Sequence, residues 1–130
     1  MNPFQKISAT LASGLRAQSF RMQISSENLA NADTHGYRRK LVTFDAAIDE
    51  RTAAETVQAA RVSLDRTQGE KVYDPSHPLA DPEGYVVTSN VNPLIELADL
   101  REANRSYEAG LQAFRQAREM YSGLLEILKR

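Results

Sequence analysis

The C-terminal segment constrains the fold more than any other part of the chain. Asn92 and Pro93 are followed by no further proline as far as Arg130. Asparagine is a favoured helix N-cap, and proline suits the first helical position, where its missing N–H would be unpaired anyway. The segment therefore predicts a single helix of about 38 residues, roughly 57 Å long at 1.5 Å per residue.

Apolar and aromatic residues recur along this helix in alternating steps of three and four. Counted from Leu97, only Asn104 and Arg118 interrupt the pattern. A stripe of this kind over more than four heptads is typical of a coiled coil. The predicted seam consists of Leu97, Leu100, Tyr107, Leu111, Phe114, Tyr121, Leu125 and Leu128.

The N-terminal segment predicts a second, shorter helix. Asn2 and Pro3 repeat the cap-and-proline start, and the helix is expected to end near Leu29. Its length of about 27 residues corresponds to roughly 40 Å. One face carries an apolar stripe at Phe4, Ile7, Leu11, Leu15, Met22 and Leu29.

Two interpretations of the C-terminal seam remain open. It can pair wholly with the first helix, or it can serve both that pairing and contacts to other chains. The difference in length favours the second interpretation, because two or three turns of the longer helix would stay uncovered. The last turns, Leu124 to Leu128, are apolar on more than one face, and exposed apolar patches of this kind mark interaction surfaces.

The middle of the chain is β-prone. Short runs at Tyr37–Phe44, Val57–Leu64, Lys71–Tyr73 and Tyr85–Thr88 alternate with turn residues. Asp45 to Ala54 is charged and alanine-rich and is expected to be helical or loose. The predicted fold is mainly α, with long terminal helices (1–32 and 92–130) paired as a coiled coil and a small β-hairpin-rich region between them (33–91).

Composition argues against several classes of function. The 130 residues carry a net charge of −1 and contain no cysteine. A nucleic-acid binder is usually basic, and thiolate chemistry needs cysteine. His35 and His77 stand alone in turn-like segments, and no glycine-rich phosphate loop or Gly-x-Ser-x-Gly elbow occurs. We expect no catalytic residue, metal, cofactor, small-molecule substrate or nucleic acid, and neither a cleaved signal peptide nor a membrane span.

The exit of the first helix carries the most distinctive motif, Ser26 to Arg38. We expect the amides of Asn28 and Asn31 to satisfy carbonyls at the helix end. Thr34 can bond to nearby backbone, Gly36 permits positive φ, and Tyr37 offers an apolar ring with a polar tip.

The basic run that closes this motif has two interpretations. Arg38, Arg39 and Lys40 follow one another at the start of a β-prone segment. They can form a patch that faces acidic groups on a partner subunit, or a solvated strand end.

These residues carry a resemblance to a known family. The segment Ser26 to Arg38 contains Asn28-Leu29-Ala30-Asn31, Thr34 and Gly36-Tyr37, and it is similar to the Asn-Leu-Ala-Asn-x-x-Thr-x-Gly-Tyr-x-Arg motif of the flagellar rod and hook proteins. The stretch Val72 to Asp81, with Gly84-Tyr85-Val86 and Asn90-Val91, resembles the middle of FlgC-type proximal-rod subunits. The chain departs from that pattern at Ser89, where the family often has proline.

The resemblance implies a structural subunit rather than an enzyme. Its terminal helices would line a helical tube, the periplasmic drive shaft of the flagellum. Its partners would be other copies, sister rod subunits of the FlgB, FlgF and FlgG types, a FliE-type adaptor and the flagellar type III export apparatus. A generic helical adaptor or secreted effector would share the seam without needing the motif around Asn31 to Tyr37.

Overall fold

The computed structural model describes residues 2–130 as two long helices joined by two β-hairpins. Helix α1 spans Pro3–Ala30 and helix α2 spans Pro93–Leu128. The strands are β1 (Lys40–Ile48), β2 (Glu55–Leu64), β3 (Lys71–Tyr73) and β4 (Tyr85–Val87). The predicted division into terminal helices and a β-rich middle is confirmed.

Both helices begin as their caps predict. The Asn2 side chain accepts a hydrogen bond from the Phe4 N–H at 2.8 Å, and the Asn92 side chain accepts one from the Leu94 N–H at 3.0 Å. In each case the proline at the first helical position brings no N–H that would need a partner. The starts of both helices thus follow from the local sequence.

The two helices lie side by side and run antiparallel. Phe4, at the start of α1, stacks on Tyr121 near the end of α2, with ring centroids 4.3 Å apart and planes 6° from parallel. Further along the pair, Arg21 lies 3.6 Å from the Glu102 carboxylate. Within residues 2–130 neither helix is both long and apolar enough to cross a membrane.

The hairpins form two separate antiparallel sheets. In the first, β1 pairs with β2 and packs against α1, and the register shifts by one residue between Thr43 and Phe44. In the second, β3 pairs with β4. Two strands alone bury little apolar surface, so each hairpin depends on its contacts with neighbouring segments.

The expectation that Asp45 to Ala54 is helical or loose is wrong for its first part. Strand β1 continues to Ile48, because Asp45 to Ile48 pair in register with Glu55 to Gln58. Only residues 49–54 form a turn, in which the Asp49 carboxylate accepts hydrogen bonds from the N–H groups of Arg51 and Thr52, each at 2.9 Å. The two strands connected by this turn supply the pairing that overrides the local preference.

Candidate assembly surfaces

The exit of α1 is held to the start of β1 by a buried amide. Asn28 is 1% exposed, and its Nδ2 donates to the Lys40 carbonyl while its Oδ1 accepts from the Lys40 N–H, both at 2.9 Å. The side chain therefore pairs with Lys40 as a neighbouring strand would. The expectation that Asn28 caps helix carbonyls is wrong, whereas Asn31 Nδ2 does donate to the Glu27 carbonyl at 2.8 Å.

The rest of the motif completes this turn. Thr34 bonds to Asn31, through its N–H to the carbonyl and through its hydroxyl to the side-chain oxygen. Gly36 has φ +74°, as predicted, and its N–H donates to the Val87 carbonyl. The Tyr37 hydroxyl donates to Asn28 Oδ1 at 2.9 Å. Burial, followed by the negative charge of Glu27, raises the pKa of Tyr37 above its usual value.

The three residues of the basic run have different surroundings: Arg39 pairs with α2, Lys40 pairs with α1, and Arg38 is exposed. Arg39 Nε donates to Glu96 Oε1 of α2, and Arg39 Nη2 lies 3.1 Å from Asp99 Oδ2. Lys40 Nζ bonds to Glu27 Oε1 of α1, and this hydrogen bond raises the pKa of Lys40. Only Arg38 of the three remains exposed. Neither sequence interpretation describes the run as a whole, because two of its three cations pair within the chain.

Ser89 and Asn90, which lie shortly before α2, complete the hydrogen bonds around Arg39 and the turn after α1. The sequence did not identify these two residues as functional. Asn90 Oδ1 accepts from the Arg39 N–H at 2.6 Å, and its Nδ2 donates to the carbonyls of Asp65 and Thr67. The buried Ser89 donates to the Ala32 carbonyl through its hydroxyl. Two signals were available in the sequence: the resemblance at Asn90-Val91, and the position of Ser89 and Asn90 shortly before the Asn92–Pro93 cap. We call Asn28, Tyr37, Arg39, Lys40 and Asn90 the exit junction.

The face of α2 that packs on α1 is shifted from the predicted seam. Four predicted seam residues, seven positions apart, are half-buried. The most buried residues of α2 lie outside the predicted seam: Ala103 is 1% exposed, and Glu96, which pairs with Arg39, is fully buried. By contrast, Leu97 is 41% exposed. The half-buried heptad positions are Leu100, Tyr107, Phe114 and Tyr121.

Small residues let the helices approach closely. A Cβ added to Gly110 of α2 would lie 3.1 Å from the Cδ2 atom of Leu15, so the two helices come together at this point. The predicted positions Leu11, Leu15 and Met22 of α1 and Leu111 of α2 are all half-buried. On α2 the interface therefore combines large side chains at the half-buried heptad positions with small residues such as Ala103 and Gly110 between them.

Beyond Tyr121, helix α2 continues past the start of α1. We call residues 122–128 the overhang. Its apolar side chains Leu124, Leu125, Ile127 and Leu128 are 59%, 40%, 67% and 80% exposed. Next to it an apolar cleft of about 320 Å³ lies between the helices, with Phe4, Ile7, Met120 and Leu124 among its lining residues. The uncovered end that the sequence predicted is present.

No group of three or more His, Cys, Asp or Glu side chains within residues 2–130 is arranged to hold a metal ion. His35 and His77 are not isolated from each other, however, because their rings meet edge to face with centroids 4.5 Å apart. This contact joins the turn after α1 to the loop between β3 and β4.

Comparisons with known proteins agree with the motif. The family described as "Flagella basal body rod protein" matches residues 9–38, and "Flagellar basal body rod FlgEFG protein C-terminal" matches residues 83–127. A relative from Agrobacterium fabrum, named flagellar basal-body rod protein FlgC, is 46% identical over 99% of this chain and 98% of its own. A protein of the same name from Bacillus subtilis is 36% identical over 99% of this chain and 100% of its own. The Salmonella typhimurium protein of that name is 35% identical over 83% and 85%.

Proposed function

The chain belongs to the FlgC family of flagellar basal-body rod proteins, and from this premise we propose that it polymerises through its terminal helices. It is a structural subunit of the bacterial flagellar basal-body rod and takes part in flagellum-dependent motility. The further points are how it joins its neighbours and which neighbours these are.

The observation that carries the proposal is the overhang. Four large apolar side chains stand exposed on two consecutive turns of α2, at the open end of the helix pair. Burying an exposed leucine or isoleucine contributes about 1.5–3 kcal/mol, so leaving this cluster in water forgoes a substantial free energy. A neighbouring subunit that covers the overhang recovers it.

We propose that α1 and α2 form an antiparallel coiled coil that the overhang extends into the next subunit. The half-buried residues Leu100, Tyr107, Phe114 and Tyr121 repeat every seven positions. Such spacing keeps one face of a helix toward its partner along a shallow supercoil. The overhang would continue this face where α1 has ended.

The partners follow from membership of a rod. We propose contacts with other copies of the chain, with rod subunits of the FlgB, FlgF and FlgG types and with a FliE-type adaptor. The rod would lie in the periplasm, and the subunit would reach it through the flagellar type III export apparatus without a cleaved signal peptide. The chain would have no catalytic role in this assembly.

Substitution in the overhang tests the proposal. Leu125→Asp or Leu128→Asp places a charge where an apolar partner surface is expected, and burying it unpaired is strongly unfavourable. In a strain that depends on this gene copy, we expect loss of swimming and absence of the chain from purified basal bodies, with export unchanged. Motility in soft agar, immunoblots of basal bodies and of exported protein measure the three effects.

Gln116→Asp is the matched control, since Gln116 is an exposed polar residue of the same helix. It introduces the same charge away from the overhang, and it should swim and assemble normally. Normal swimming of the Leu125 and Leu128 variants would remove the overhang from the assembly mechanism. Equal loss in the Gln116 variant would show that charge on α2, rather than position, is responsible.

A further inference from the structure

Three arginines on the β1–β2 hairpin converge on one open cleft of about 730 Å³. Arg38 immediately precedes the hairpin, Arg61 lies in β2 opposite Thr43, and Arg66 follows the end of β2. The other lining residues are Thr43, Val62, Ser63 and Leu64. No carboxylate is among the residues that form the cleft.

The guanidinium groups of this cleft form no salt bridge within the part of the chain that the structure describes. Among residues 2–130 the ion pairs involve Arg21, Arg39 and Lys40, and none involves the three cleft arginines. Arg38 donates only to the Thr67 carbonyl, at 3.4 Å. The nearest acid along the chain is Asp65, and its pKa is lowered by hydrogen bonds from Thr67 and then by the charges of Arg39 and Arg38, although it forms a salt bridge with neither. All three arginines are exposed, so their guanidinium groups can be reached from solvent.

A cluster of exposed guanidinium groups favours a carboxylate-rich partner, because each group can hold a carboxylate through two parallel hydrogen bonds. The chain itself carries such a surface elsewhere. Between Lys71 and Arg101 there is no lysine or arginine, and the loop between β3 and β4, residues 74–84, contains Asp74, Asp81 and Glu83. This loop is rigidified by its own hydrogen bonds, since Asp81 Oδ1 accepts from the N–H groups of Glu83 and Tyr85.

We propose that the arginine cleft (Arg38, Arg61 and Arg66) binds the acidic loop (residues 74–84) of a second copy of this chain. The inference rests on the proposed function, in which copies lie next to one another in the rod. The cleft and the loop are different surfaces, so the contact is heterologous. In an open row of copies, one end keeps an unoccupied cleft and the other end an unoccupied loop. Contacts of this type propagate into rings or helices.

The absence of cysteine from the sequence allows a direct test by cross-linking. Ser63→Cys puts a thiol in the cleft, and Leu79→Cys puts one on the exposed face of the loop, while every arginine and carboxylate is retained. The two single variants are co-expressed, and isolated basal bodies are treated with a short bis-maleimide. We expect a covalent dimer that requires both variants.

Charge reversal then tests the chemistry of the contact. Arg61→Glu with Arg66→Glu in the Ser63→Cys chain should lower the dimer yield about tenfold, because like charges then face each other. For the single reversal Arg66→Glu, adding Glu83→Arg to the Leu79→Cys chain should restore the yield. Arg51→Glu, an exposed arginine in the turn between β1 and β2, is the matched control and should leave the yield unchanged.

Three results would overturn the proposal: no dimer, a cross-link only to a different protein, or a yield that charge reversal leaves unchanged. Immunoblots of the same basal bodies separate this failure from that of the proposed function. Absence of the unmodified chain from basal bodies would overturn both, whereas incorporation without cross-linking would overturn the cleft contact alone.

Discussion

The two ends of the helix pair differ in how they are completed. At the exit junction, hydrogen bonds of Asn28, Arg39 and Lys40 join α1, α2 and β1 within the chain, although Oε2 of the buried Glu96 has no partner among the described residues. At the opposite end, the overhang leaves Leu124, Leu125, Ile127 and Leu128 in solvent. One end of the subunit is thus completed by folding, and the other is the end that we propose is completed by assembly.

Hydrogen exchange on dilute monomer gives the largest contrast. Amides of the overhang should exchange at nearly the rate of an unfolded peptide, because few tertiary contacts of the described residues cover this end of α2. Amides around Asn28 and Lys40 should be slower by about a thousandfold, a ratio that corresponds to roughly 4 kcal/mol of opening free energy. Equal protection at both ends would contradict the comparison, and mass spectrometry of peptic fragments resolves the two regions.

Removal of the Asn28 amide should be the next largest effect. Asn28→Ala leaves the Lys40 N–H, the Lys40 carbonyl and the Tyr37 hydroxyl without their partner, and each buried unpaired group costs about 1–3 kcal/mol. We expect the free energy of unfolding to fall by about 3 kcal/mol in urea titrations followed by circular dichroism.

Asn104→Ala provides the control for that experiment, because Asn104 is an exposed residue of α2. It should change the free energy of unfolding by less than about 0.5 kcal/mol. A loss as small as this in Asn28→Ala would mean that the exit junction does not hold the fold together. Asn104 interrupts the predicted seam, so the control also checks the shifted register.

Alkaline pH should produce the smallest effect, and only at the junction. The pKa values of Tyr37 and Lys40 are both raised, the first chiefly by burial and the second by the hydrogen bond to Glu27. A raised pKa in the folded state contributes stability that is present below the unfolded value and is lost as pH rises through the folded value. Stability should therefore decline above about pH 10.

Tyr37→Phe should remove the tyrosine share of this decline while leaving that of Lys40. Urea titrations between neutral pH and alkaline pH measure the effect. A stability that stays constant through this range would contradict the assigned role of the two groups.

The sequence predicted those parts of the fold that local chemistry decides. Asn2–Pro3 and Asn92–Pro93 mark the helix starts, and the β-prone run at Lys71–Tyr73 coincides with strand β3. Asp45 to Ile48 could not be assigned, since alanine and charged residues favour other structures and only pairing with β2 makes this segment a strand. Even the positive φ of Ala53 depends on the turn that this pairing closes.

The site was predicted less completely, for two physical reasons. Large apolar residues suggested a seam that includes Leu97, which is exposed, whereas the helices pack closely at Ala103 and Gly110 and bury the Glu96 carboxylate against Arg39. Contacts between residues far apart in the sequence have no local signature. Asn90 with Arg39 is one such contact, 51 residues apart.

The division of the basic run has a mechanical consequence for a subunit of the flagellar basal-body rod. Neighbouring residues at the start of β1 are bonded to different helices. Lys40, the first residue of the strand, bonds to Glu27 and Asn28 of α1, and Arg39, just before it, bonds to Glu96 and Asp99 of α2. A force that pulls the β1–β2 hairpin sideways is shared by these bonds simultaneously, instead of opening them one after another. The connection between the hairpin and the helices thus resists shear through several hydrogen bonds and ion pairs that carry the force together.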